Sequence, residues 1–151
     1  MRSLHIGKLL VAFSLLLACG KIDYNTKTQW CFTNRTENKI EIVSGDNSDR
    51  KELNIILTPG ETKTINIEIP TTKKDLVVSE QLSPYSRTGA TIKWQEHTLH
   101  LAGIDEGQNI KELQGICNAL YYECSKTDKN TYRFLFIIDE LHLSQYLELD
   151  E

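Results

Sequence analysis

The chain reads as all-β: an immunoglobulin-like β-sandwich of eight or nine antiparallel strands with a short C-terminal helix. Two observations carry this expectation. Apolar residues alternate with polar ones along short runs, the signature of half-buried strands. Clusters of Pro, Gly, Asn, Asp and Ser punctuate the runs, as in sandwiches built from many short strands.

The elements follow in order. From Gln29 the period is close to two, with Trp30 and Phe32 on one face. The turn-rich segment Asn34-Arg35-Thr36-Glu37-Asn38 leads to Ile40 and Ile42, which alternate with Lys39 and Glu41, so the two runs suggest a hairpin. Ser44 to Asp49 reads as a loop. Leu53, Ile55 and Leu57 share a face, and Pro59-Gly60 suits the centre of a type II turn. Ile65, Ile67 and Ile69 alternate with Asn66 and Glu68 in the cleanest strand pattern of the chain. Leu76-Val77-Val78 reads as another short strand, and residues 81–89 as a loop. Ile92 and Trp94, then Leu99 and Leu101, form a second hairpin around Gln95-Glu96.

Ile110 to Cys124 supports two readings. Ile110, Leu113, Ile116, Leu120 and Cys124 recur at helical spacing, and Asn109 with Glu112 fits a capping box. The aromatic stretch Tyr121-Tyr122 and the polar run after it favour a hairpin, with at most one helical turn near residues 110–114. Tyr132 to Ile138 is apolar on both parities, which predicts a central strand covered on both faces. Asp139 can cap a helix from Glu140 to Leu147.

The N-terminus carries a different kind of signal. Arg2 and Lys8 precede an apolar run, Leu9 to Ala18, that ends in Leu16-Leu17-Ala18-Cys19. A charged start, an apolar stretch of about 7–15 residues and a small residue at the cut describe an export signal. The run is too short for a bilayer span, which takes about 20 residues. Leu-Leu-Ala-Cys resembles the lipobox of bacterial lipoproteins. That resemblance implies removal of residues 1–18 and lipidation of Cys19 by a diacylglyceryl thioether, with a further acyl chain (palmitate or similar) on its amine. It implies a cell-envelope location; Gly20 after the cysteine points to the outer membrane, at its periplasmic face or surface. Residues 19–28 then form a lipid-anchored tether, and 29–151 the sandwich. Together with Leu57 to Thr62 and Tyr132 to Glu140, the lipobox resembles small uncharacterised Bacteroidota lipoproteins that have a β-sandwich and a final aromatic strand. The resemblance implies location and fold class, and no activity.

Two of the 17 basic residues lie in 1–18, which leaves 15 against 21 acidic ones and a formal charge of −6. This opposes binding to nucleic acid or to an anionic membrane by charge alone. The partners expected are the membrane, through the lipid, and an envelope protein or glycan. Cys31, Cys117 and Cys124 remain after lipidation and allow one disulfide of undetermined pairing, or three reduced thiols. They lack the paired spacing of a zinc site.

No local motif carries chemistry. His97 and His100 fall on opposite faces of a strand, His142 beside Asp139 and Glu140 reads as a helix face, and Asp46-Asn47-Ser48-Asp49 lacks a calcium-loop pattern. There is no serine on a glycine-rich elbow and no phosphate loop, and Cys31 has no cationic neighbour in sequence. The chain therefore reads as a non-enzymatic binding or structural module without a cofactor. The alternative is a lipoprotein that binds or processes glycan or peptidoglycan through a platform of Tyr85 and Trp94, with Tyr121 and Tyr122 as further candidates.

Overall fold

The computed structural model describes residues 24–45, 51–71, 76–78, 81–104 and 108–147. Cys19 and the Asp46–Asp49 loop lie outside them. Eight strands form two four-stranded sheets: β1 (Tyr24–Asn34), β2 (Ile40–Ser44), β3 (Ile55–Leu57), β4 (Thr62–Thr71), β5 (Ala90–Trp94), β6 (His97–Leu101), β7 (Glu123–Asp128) and β8 (Thr131–Ile138). Helix α1 (Glu140–Leu147) follows. One sheet runs β4-β1-β8-β7, the other β3-β2-β5-β6. Their inner faces share one core.

The core is aromatic at its centre. Trp30 stacks on Phe134 with ring centroids 4.1 Å apart, and Tyr122 meets Trp30 edge-on at 5.0 Å. Such pairs add about 0.5–1.5 kcal/mol beyond the area they bury. The second hairpin forms as the alternation predicts: β5 and β6 pair from Ala90↔Leu101 to Trp94↔His97 around Gln95-Glu96. The Pro59-Gly60 turn also forms. Glu61 N donates to Thr58 O at 3.0 Å, and Gly60 has φ +77°, a value that an L side chain resists. The Glu61 carboxylate accepts from Thr58 N and Oγ1, which holds its pKa below the ordinary value.

Several expectations need correction. The sandwich is not wholly antiparallel: β1 pairs with β8 in parallel, Trp30 opposite Phe134. No tight turn joins these strands, because the rest of the domain lies between them, so nothing local imposes the antiparallel sense. β1 and β2 are not a hairpin; they lie in different sheets, and residues 35–39 cross between them. The fully buried Asn34 fixes this corner. Its Nδ2 donates to Asn38 O (2.8 Å) and Leu57 O (3.1 Å), and its Oδ1 accepts from Thr36 N (2.9 Å) and Thr36 Oγ1 (2.8 Å).

β1 starts at Tyr24, inside the segment expected as tether (19–28). Its early inward positions are threonines, which look polar in sequence yet are buried. Thr28 Oγ1 donates to Ile67 O and accepts from Trp30 Nε1 at 3.0 Å, so burial leaves its hydroxyl satisfied. Leu76–Val78 is not a strand; Leu76 N donates to the Tyr132 hydroxyl instead.

Residues 110–121 are neither a hairpin nor an α-helix but three 3-10 turns, Ile110–Glu112, Gly115–Cys117 and Ala119–Tyr121. Gly115 with φ +50° and the extended Asn118 interrupt any continuous helix. The hairpin begins only at Glu123. β8 is central, but its outer face is not covered: Arg133 is exposed, and Leu135 and Ile137 are half-buried.

Candidate interaction surface at the helix end

Strand direction gives the sandwich two ends. β1 and β8 run toward one of them, β5 ends there, and β2, β4, β6 and β7 start there. At this end the crossing loop 35–39, the Thr58–Glu61 turn and the Gln95-Glu96 turn come together, and α1 leaves β8.

Asp139 starts the helix as the cap predicted from sequence. Its carbonyl accepts from Leu143 N at 3.1 Å, and its Oδ1 accepts from His142 N at 2.9 Å. The same oxygen lies 2.8 Å from His142 Nδ1. Leu143, 2% exposed, roots the helix in the core, while Leu141 points outward at 66% exposed. An i, i+2 spacing on a helix places two side chains on nearly opposite sides, which accounts for the contrast.

Two clefts flank α1. One, of about 220 Å³, lies among Asn38, Trp94, His97, Glu140 and Ser144. The other, of about 210 Å³, lies among Arg35, Tyr121, Glu123, Ile137 and His142. Tyr121 is 57% exposed, and its neighbour Leu120 is 51% exposed.

The described residues of the helix end carry an excess of acid. Among the described residues of the loops and strand ends, Glu37, Glu41, Glu61, Glu96, Glu123, Asp139 and Glu140 at the helix end face Arg35, Lys39, Lys63 and Lys93. At the opposite end the described residues include Lys27, Lys51, Arg87, Lys111, Lys126 and Lys129 beside Glu52, Glu68, Glu112 and Asp128.

The residues singled out from sequence scatter over the fold. Tyr85, expected in a ligand platform, is fully buried; its hydroxyl donates to Leu53 O at 2.7 Å and its ring meets Phe32 edge-on. Trp94 is also buried, with its ring 5.4 Å from that of His97 at the edge of the first cleft. Tyr85 and Trp94 therefore do not form an exposed platform. The loop around Tyr85 is drawn inward because Ser83 and Ser86 donate to the carbonyls of Ile116 and Cys117. Of the remaining aromatic candidates, Tyr122 is buried and Tyr121 is exposed.

Cys31, Cys117 and Cys124 are free thiols in this structure. Burial pushes the Cys117 thiol up to about 12, and Cys124, though exposed, is also shifted upward by burial. Cys31 gains in space the cationic neighbour it lacks in sequence: Arg133 Nε donates to its sulfur at 3.4 Å, and Thr64 Oγ1 lies 3.3 Å away. The parallel register puts Arg133 opposite Gln29, two residues before Cys31 on the same face. His97 and His100 are both exposed, on opposite faces as expected. Among the described residues no three His, Cys, Asp or Glu side chains could together hold a metal ion, and no helix is long and apolar enough to cross a membrane.

The surface beside α1 was not predicted as a unit. Its signals in sequence are the capped terminal helix and Tyr121, which no local pattern connects; the parallel β1–β8 pairing places Arg35 beside them. Searches of protein-family models, of curated proteins and of solved structures find no match to this chain.

Proposed function

We propose that the chain is a cell-envelope lipoprotein, anchored by acyl chains on Cys19, whose immunoglobulin-like sandwich acts as a non-enzymatic binding module. The observation that carries this reading is Leu16-Leu17-Ala18-Cys19 at the end of a short apolar run with a basic start. Two acyl chains give stable anchoring, since each buried methylene contributes about 0.8 kcal/mol. The fold supports the arrangement. β1 begins five positions after Cys19, a reach of at most about 18 Å at roughly 3.6 Å per residue. An outer-membrane location, at the periplasmic face or the surface, follows from the same signal. The crossing of the chain from β1 to β2 in the second sheet and the parallel seating of β1 beside the last strand support an immunoglobulin-like build. The glycan-binding alternative loses the two rings it rested on, since both are buried.

Mass spectrometry of the native protein tests the anchor. The expected product starts at Cys19 and carries acyl mass on that residue, and Cys19→Ser leaves the membrane fraction. An intact Met1 start, or an unmodified sulfur at Cys19, overturns the reading.

A further inference from the structure

Resting on that reading, we propose that the helix end is the docking surface and that its occupant is a protein presenting a basic surface with apolar contacts. Of the five large apolar side chains exposed among the described residues, Leu120, Tyr121 and Leu141 belong to this end; Ile56 and Val77 stand elsewhere. Tyr121 lines a cleft with Arg35 and His142, and Leu120 and Leu141 are the chain neighbours of two of its lining residues. Half-buried Ile137 lines that cleft. A rigid aromatic beside a cleft, ringed by polar groups, is the usual form of an energetic anchor in protein interfaces.

Charge selects the occupant. Seven carboxylates against four cations among the described residues give this end an acidic field. A second copy docking through the same surface would bring two acidic ends together, and an anionic leaflet would be repelled as well; a cationic protein is attracted and steered. The anchor lies away from this surface. β1 starts at the opposite end and spans 11 residues, about 35 Å at roughly 3.3 Å per residue, so the anchored end and the docking end are separated by the length of the sandwich.

A photo-crosslinking side chain placed singly at Tyr121, Leu141, Thr64 and Lys129 of the full-length protein in its native cells tests this. Thr64 lies on the outer face of the β4-β1-β8-β7 sheet, and Lys129 at the opposite end. The expected result is an adduct with the same protein from Tyr121 and Leu141 only. The purified partner then binds with an affinity that falls about tenfold or more at high salt or in Glu123→Lys/Glu140→Lys. Tyr121→Ala weakens it about 30-fold, the size of an aromatic anchor, with the melting temperature unchanged. Adducts from Thr64 or Lys129 alone overturn the surface and leave the binding-module reading standing. Self-adducts, or an acidic partner whose affinity ignores salt, overturn the cationic occupant. No adduct at any position, in protein shown to carry its acyl chains, removes the binding module itself.

Discussion

Tyr85 and Tyr121 both come from irregular segments between strands, yet they end in opposite environments. Tyr85 sits in a loop of polar residues and is fully buried. Tyr121 closes a 3-10 turn and is more than half exposed. The difference lies in what each segment does with its backbone. The 3-10 turns of residues 110–121 leave carbonyls without strand partners, and buried carbonyls need donors. Ser83, Ser86 and Tyr122 supply them: Ser83 Oγ and Tyr122 Oη both donate to Ile116 O at 2.7 Å, and Ser86 Oγ donates to Cys117 O at 2.6 Å. Polar side chains are interior here because the backbone requires them. At the helix end the backbone closes on itself through Asn34 and Asp139, so apolar side chains are left facing water with no structural duty. The buried loops hold the fold, and the helix end presents exposed apolar side chains.

The sharpest way to break this contrast is to remove Tyr85. Tyr85→Ala should destabilise the domain by about 3–5 kcal/mol through the lost ring and the cavity it leaves. Tyr85→Phe should cost about 1–2 kcal/mol by orphaning Leu53 O. Denaturant titration measures both, and a small effect of Tyr85→Ala would mean that the loop is not part of the core. Next comes Asn34→Ala, which removes four hydrogen bonds at the sheet crossing; about 2–3 kcal/mol is expected by the same measurement.

High pH separates the two regions by a different route. Cys117 lies in the buried segment, and folding raises its pKa from 9.0 to about 12. The folded state thus holds a proton that the unfolded chain releases. The stabilising contribution is whole below about pH 9 and drains away as pH rises toward about 12. Tyr85 is raised by burial too and acts in the same sense. Cys117→Ala should flatten part of the alkaline decline in melting temperature, and an unchanged slope would contradict the assignment. Asp139→Ala should cost only about 1 kcal/mol, as loss of a helix cap, seen as a small shift in the denaturation midpoint. Smallest of all, Tyr121→Ala and Leu141→Ala should change stability by no more than about 0.5 kcal/mol. A larger loss in either would show that these side chains serve the fold.

Legibility from sequence followed range along the chain. The β5–β6 hairpin, the Pro59-Gly60 turn and the Asp139 cap each depend on residues a few positions apart, and each formed as read. The partner of β1 did not, because its parallel neighbour lies about a hundred residues away and no local pattern names it. Thr26 and Thr28 concealed the start of β1, since a buried threonine with a satisfied hydroxyl looks like tether in a hydropathy pattern. Tyr85 was misplaced for the same reason: Ser83 and Ser86 signal an exposed loop unless the waiting carbonyls are known. Of the helix end, sequence showed the cap, His142 and the aromatic at 121, but not that they would converge with Arg35, Glu123 and a half-covered strand face.

The parallel seating of β1 has a consequence for how the chain reaches its final form. One long side of β1 has no neighbour until Thr131 to Ile138 exist, so that sheet stays unfinished while almost all of the polypeptide is being made. Closing so distant a contact is slow, because the entropy of bringing remote segments together is lost before the contact rewards it. A domain that waits for its final strand is one that can be threaded through a narrow pore before it sets.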